Sequence, residues 1–216
     1  MADLNVDVVR TNLASVQERI ARAAARAGRD AGEVEILAAV KYVTAADIPT
    51  VADAGVTLVG ENRAQDLIEK AARAPGRLRW HFIGALQSRK VKLIVGHVEL
   101  IHSVASDSVL KQLERHAPEG FEILVEVNVS GEPGKAGIAP AQLDAFVARS
   151  PVKVVGLMTM PPKTADPELS RAPFAALAAL ARERGLSTLS MGTSQDFEIA
   201  VEEGATIVRI GTILYA

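Results

Sequence analysis

The chain has no cysteine, which excludes disulfides, thiolate catalysis and cysteine-based zinc sites and is compatible with a reducing cytoplasm. It has almost no net charge: 24 Lys and Arg against 26 Asp and Glu leave −2. That gives no electrostatic ground for a nucleic acid or an anionic membrane as partner. No apolar run approaches the length of a membrane span. The start of the chain, Met1-Ala2-Asp3-Leu4-Asn5, lacks the basic-then-apolar order of a signal peptide. His81, His97, His102 and His116 show no metal-ligand spacing and read as structural or surface residues. Neither GxxxxGK[ST] nor GxGxxG occurs, so a nucleotide cofactor is unsupported. There is no Pro/Ser-rich linker, composition break or internal repeat. What remains is 216 residues, 49% hydrophobic and 23% charged, the make-up of one soluble globular domain over 1–216.

Val9, Leu13, Val16, Ile20 and Ala24 recur at steps of three and four and predict an N-terminal helix. Asn5 or Asp7 caps its start and Gly28 closes it in a left-handed conformation. Arg19, Arg22, Arg26 and Arg29 then read as a solvated basic face. A first strand runs over 34–41, ending at Lys41. Further strands are expected over 57–60, 79–84, 100–103, 121–129, 152–158, 188–191 and 206–210. Helices are expected over 45–54, 63–73, 90–95 and 196–203, and from a capping Asp107, from Pro140 and from Ser170. Eight strands alternating with helices predict a parallel α/β sheet, and the count of eight a closed (β/α)8 TIM barrel. The N-terminal helix fills the slot that a helix after the last strand would occupy. The prolines of 161–167 deny that loop a helix or a ladder.

In such barrels the working face lies at the C-terminal ends of the strands. Lys41, Glu61-Asn62, Gly84, Asn128, Met158, 191–194 and Gly211-Thr212 then ring one opening. Lys41 ends an apolar strand on a charged amine. Loss of hydration there lowers an amine's pKa toward the free base, a nucleophile for aldehydes; a lysine snorkelling to water fits the same pattern. The segment 190–196, Ser-Met-Gly-Thr-Ser-Gln-Asp, combines a glycine and small hydroxyls before a helix start and suits an anion. Arg209-Ile210-Gly211-Thr212 leaves strand eight, and loops after strands seven and eight are the usual phosphate site of this fold. A capping side chain and a tight turn would explain either segment alone. His81 faces inward if Trp80 and Phe82 face the helices. Arg89, Lys90 and Lys92 read as a solvated helix start, and Met158 and Met160 pad a flat ring or fill core.

These residues, in order, resemble the YggS/PROSC family of pyridoxal-phosphate-binding proteins, the PLP homeostasis proteins. The matching pieces are Ala39-Val40-Lys41, Gly60-Glu61-Asn62-Arg63, the stretch 80–90, 128–137, Gly156-Leu157-Met158-Thr159-Met160, 189–196 and Val208-Arg209-Ile210-Gly211-Thr212. The resemblance implies a barrel of the alanine-racemase N-terminal-domain kind (fold type III) that holds pyridoxal 5′-phosphate as a Schiff base. Lys41 matches the lysine of the internal aldimine; Ser194, Gly211 and Thr212 match phosphate-binding positions. Arg209 matches the arginine facing the pyridine nitrogen in alanine racemases; such a group disfavours a pyridinium and weakens the ring as an electron sink. Asn62, Met158 and His81 resemble residues near the ring.

Two pieces depart from the family pattern: Val40-Lys41-Tyr42 replaces Ser-Lys-Thr, and Met191-Gly192-Thr193-Ser194 replaces Met-Gly-Met-Ser. The chain ends at Leu214-Tyr215-Ala216, short of the usual family tail and of one contact from it. Nothing resembles the separate β-domain of alanine racemases, which brings a second catalytic residue and helps to build their dimer site. The function implied is therefore cytoplasmic cofactor homeostasis affecting amino-acid and keto-acid balance, by a monomer that is not an enzyme. Its partners would be pyridoxal phosphate and pyridoxal-phosphate-dependent apo-enzymes. The alternatives are a pyridoxal-phosphate-dependent amino-acid racemase and a cofactor-free barrel enzyme acting on a phosphorylated sugar through Lys41.

Overall fold

The computed structural model describes residues 4–162 and 164–216. Met1, Ala2 and Asp3, on which the reading of the N-terminus partly rests, and Lys163 in the proline-rich loop lie outside the described residues. Among the described residues, eight strands close a barrel in chain order, and every neighbouring pair is parallel. The order begins α1 (Val6–Arg26), β1 (Glu35–Ala39), α2 (Ile48–Asp53), β2 (Leu58–Glu61), α3 (Ala64–Ala71), β3 (Arg79–Phe82), α4 (Val91–Ile94), β4 (Leu100–Val104) and α5 (Asp107–His116). It continues with β5 (Glu122–Glu126), α6 (Leu143–Ala148), β6 (Lys153–Met158), α7 (Arg171–Glu183), β7 (Thr188–Thr193), α8 (Phe197–Glu202), β8 (Ile207–Ile210) and α9 (Thr212–Tyr215).

Side-chain alternation divides the apolar residues into two cores. Leu37, Leu58, Leu100, Leu124, Met158 and Ile207 meet inside the barrel. Their outward neighbours, such as Ala38, Val59, Ile101 and Val208, pack against the helices. Helix α1 buries Val9, Leu13, Val16, Ile20, Ala23 and Ala24 and packs against α8 and α9 on one side and α2 on the other. It fills the expected slot. The Asn5 side chain accepts from the amides of Asp7 and Val8, and Gly28 closes the helix at φ +65°. The basic face is engaged rather than simply solvated: Arg19 meets Glu198, Arg26 meets Glu202, and Arg29 donates to the Val201 carbonyl.

Several boundaries shift. β1 stops at Ala39, two residues before Lys41. β5 ends at Glu126; the Val127 amide still donates to the Met158 carbonyl at 2.8 Å, and Val127 also bridges Ile138. β7 runs on to Thr193 because Gly192, at φ +89°, lets the strand bulge. Ser106, not Asp107, caps α5, its hydroxyl accepting from the Val109 amide. Short 3-10 turns precede α2, α4, α6 and α7 where longer helices are expected.

Candidate functional site

The C-terminal rim of the barrel opens on a cavity of about 530 Å³, within the roughly 300–1,000 Å³ typical of small-molecule sites. Its wall brings together Lys41, Asn62, Gly84, Ser194, Arg209, Gly211 and Thr212, with Tyr42, Met160, Pro161 and Pro162 at the lip. Of the ring of residues expected at the opening, Glu61, Asn128, Met158, Met191 and Gly192 do not line it. Met191 packs in the outer core, Met158 in the inner one, and Glu61 is wholly buried.

Lys41 reaches this wall through strand parity. Leu37 points into the barrel and Ala39 lines the cavity, so Lys41 follows on the same face. The Val40 amide still bonds the Gly60 carbonyl at 3.0 Å, and the Val43 amide then turns back to the Val40 carbonyl at 3.0 Å. Lys41 therefore begins a turn, solvent-exposed, its ammonium 4.8 Å from the centre of the Tyr42 ring.

The adjoining wall comes from β7 and β8, the latter paired with β1 itself. The Gly211 amide donates to Ser194 Oγ at 3.1 Å, which joins the two loops into one cup. Asp196 braces the first of them: Oδ1 accepts from the Thr193 amide at 2.7 Å and from its hydroxyl at 3.0 Å, and Oδ2 accepts from Ser170 Oγ at 2.9 Å. Ser190 to Thr193 belong to the strand itself, so only 194–196 form the loop. A side chain at position 192 would collide with Phe197 and Ala200, which is why a glycine stands there.

Arg209 projects inward from β8 and is buried. Its Nη1 donates to the Ser190 carbonyl at 2.8 Å and to Ser190 Oγ at 2.5 Å. Its Nη2 donates to the Thr159 carbonyl and to Met160 Sδ, both at 2.9 Å. A guanidinium carries five N–H groups. The fifth, on Nε, makes no hydrogen bond among the described residues, and the residue lines the cavity. Burial lowers the Arg209 pKa to about 10, opposed by the carboxylates of Asp196 and Glu126, so the group stays charged at neutral pH. The four acceptors it bonds are all neutral.

Beneath Arg209 runs a neutral chain. Ser190 Oγ lies 2.8 Å from His102 Nδ1, and His102 Nε2 lies 2.9 Å from His81 Nδ1. Arginine only donates, so Ser190 Oγ accepts from it and turns its own proton to His102 Nδ1. His102 then donates from Nε2 to His81. Burial keeps both imidazoles neutral: it pushes His81 down to about 3, with Arg79 assisting, and pushes His102 well below its usual value, with His81 and Arg209 assisting. His81 does face inward, while Trp80 and Phe82 join the outer core. It sits off the cavity wall.

Sequence reasoning missed two features. Ser190 and His102 are polar residues at inward strand positions, a readable sign of a buried polar layer. Glu61 and Lys70 form a buried ion pair at 2.5 Å, with side chains 0% and 6% exposed. Lys70 shares the inward stripe of α3 with Ala64 and Leu67, and a lysine in such a stripe signals a buried partner. Asn62 Oδ1 and the Tyr215 hydroxyl are buried without a partner among the described residues.

The geometry defines a class first: a closed parallel β/α barrel whose cavity is lined by a lysine after strand one and by a hydroxyl-and-glycine cup after strands seven and eight. The family model described as alanine racemase, N-terminal domain, matches residues 11–216. The pyridoxal phosphate homeostasis protein of Aquifex aeolicus is 42% identical over 217 residues, covering 94% of this chain and 95% of that protein. Its counterpart in Pseudomonas aeruginosa is 40% identical, covering 97% and 96%. PipY of Synechococcus elongatus, whose structure holds pyridoxal phosphate, superposes with a TM-score of 0.80 at 32% identity, over 96% of this chain and 100% of that one. The chain belongs to the pyridoxal phosphate homeostasis protein family, on the alanine racemase N-terminal-domain barrel.

Proposed function

We propose that this barrel binds pyridoxal 5′-phosphate through Lys41 and holds it for supply to other proteins rather than for turnover. One observation carries the reading: Lys41, Arg209 and the Ser194–Gly211–Thr212 cup line one cavity. That donor set fits the cofactor. An amine answers an aldehyde, an N–H with no partner answers a ring nitrogen, and hydroxyls beside a backbone amide answer a phosphate. Asn62 lines the same cavity and adds an amide side chain beside the ring.

When bound, the cofactor supplies an electrophilic aldehyde on an aromatic ring. The chain's own residues do the rest. Lys41 would take the aldehyde, Ser194, Gly211 and Thr212 would hold the phosphate, and Asn62 and Arg209 would contact the ring. Arg209 remains protonated and donates, so it keeps a proton off any nitrogen it faces. Met158 and His81 act at one remove, Met158 as apolar packing below the floor and His81 through His102 and Ser190 on Arg209. The carboxylate on the wall, Asp196, is occupied by three donors, and Tyr42 is turned 69% to solvent. Both facts favour a carrier over a racemase, which needs a second acid–base group at the ring face.

The reading extends to a single-domain monomer in the cytoplasm that passes the cofactor to pyridoxal-phosphate-dependent apo-enzymes. Among the described residues no helix is long and apolar enough to cross a membrane. The test is exchange of amino-acid α-protons in deuterated water by the loaded protein. Background-level exchange is expected; sustained exchange at enzyme-like rates would overturn the carrier reading in favour of the racemase.

A further inference from the structure

The Glu61–Lys70 pair lies outside the cavity yet touches both sides of its first wall. Lys70 Nζ donates to Glu61 Oε2 at 2.5 Å and to the Val40 carbonyl at 2.8 Å. Glu61 Oε1 accepts from the Asn62 amide at 2.6 Å and from the Arg63 amide at 3.2 Å. The residues so held are the neighbour of Lys41 on one side and Asn62 itself on the other. Parity explains the arrangement. Val40 and Glu61 point outward toward α3, while Lys41 and Asn62 point inward. The Glu61 carboxylate thus closes the turn into α3, and the Lys70 ammonium links that turn to the end of β1. Tyr215, at the end of the helix that Thr212 begins, has its hydroxyl buried in the field of the same carboxylate.

A buried ion pair is poor value as a stabiliser, because desolvation offsets most of the attraction. Apolar packing would serve stability in α3 equally well, and Ala64 and Leu67 already supply it. What apolar side chains cannot do is hold a strand-end carbonyl and two loop amides in fixed relation. We propose that Lys70 and Glu61 are positioning residues that set where the Lys41 amine stands relative to Asn62 and to the cup of the same cavity. This inference rests on the reading of Lys41 as the attachment point. The pair acts on attachment through the amine and not on the phosphate cup, which is built from β7 and β8.

The experiment compares two ligands. Pyridoxal 5′-phosphate uses the amine and the cup. Pyridoxine 5′-phosphate has the same ring and phosphate but an alcohol in place of the aldehyde, so it keeps the ring and cup contacts and loses only attachment to the amine. Lys70→Met strands the Glu61 charge and risks unfolding, so the double variant Glu61→Gln/Lys70→Met is measured beside it. Removing both charges leaves a Gln oxygen to accept from the Asn62 and Arg63 amides. In the double variant, affinity for pyridoxal phosphate falls about tenfold or more, as misplacement of a reacting group by about an ångström predicts. Affinity for pyridoxine phosphate stays within about twofold of wild type. A parallel fall for both ligands means a merely structural pair and overturns the proposal, as does no fall for either. The underlying reading fails separately, and shows it differently: wild-type protein would then bind pyridoxal phosphate no more tightly than pyridoxine phosphate.

Discussion

The two walls of the cavity hold their cations by opposite means. On the β1–β2 side, the Lys70 ammonium meets a carboxylate directly, and both charges are consumed inside the protein. On the β7–β8 side, Arg209 is equally buried but touches only neutral acceptors, two carbonyls, a hydroxyl and a thioether. The nearest compensation is the longer-range pull of Asp196 and Glu126. A cation paired at contact is finished as a ligand group and can only position. A cation held by neutral dipoles keeps its field and a spare N–H for whatever enters the cavity. The first wall is therefore a fixture and the second a receptor, and the difference lies in which residues stand within 3 Å of each charge.

Removing each cation in turn tests this contrast most severely. Lys70→Met leaves a buried, uncompensated carboxylate and is expected to destabilise by about 3–5 kcal/mol. Arg209→Met leaves only neutral acceptors unpaired, for about 1–3 kcal/mol. Urea denaturation at neutral pH measures both, and an Arg209 loss larger than the Lys70 loss would break the comparison.

Acid acts on the neutral layer beneath Arg209. His81 and His102 are held neutral by burial, His81 with a pKa of about 3 in the folded chain, whereas an unfolded histidine takes its proton near 6.5. Their folded pKa values are depressed. Stability is therefore full above about pH 6.5 and declines as pH falls toward 3, by up to about 1.4 kcal/mol per pH unit for each histidine. Denaturation midpoints between pH 7 and 5 measure the slope. In His102→Gln, which cannot titrate, the slope should be shallower; an unchanged slope would place the proton uptake elsewhere.

The smallest effect belongs to the cup. Ser194→Ala removes the oxygen that accepts from the Gly211 amide. It should leave the urea midpoint within about 1 kcal/mol of wild type while weakening pyridoxine phosphate binding about tenfold. Unweakened binding would remove Ser194 from the receptor wall.

Much of this was readable from residue order. The apolar run broken by Lys41, the inward parity of His81 between Trp80 and Phe82, and the glycine at φ +65° closing α1 each follow from a local rule. So does the closed barrel, because eight alternating units leave few other ways to cover both faces of a parallel sheet. The features that escaped are those whose partners meet only after closure. Lys70 and Glu61 are nine residues apart on different elements, and His102 and Ser190 are 88 apart. Their positions announced something polar in a buried layer, but no periodicity says which polar group meets which. Strand ends escaped for a related reason. Val127 looks like more strand, yet it also bridges Ile138, set by a later loop. The extension of β7 through Gly192 depends on a bulge against β8.

The central claim is that one amine, at position 41, takes the cofactor's aldehyde. Borohydride reduction of the protein loaded with pyridoxal phosphate, followed by peptide mapping, tests it most directly. A pyridoxyl group on Lys41, absent from Lys41→Ala although that variant still binds pyridoxine phosphate, is the predicted result. A pyridoxyl group on another lysine, with Lys41 unmodified, would contradict it.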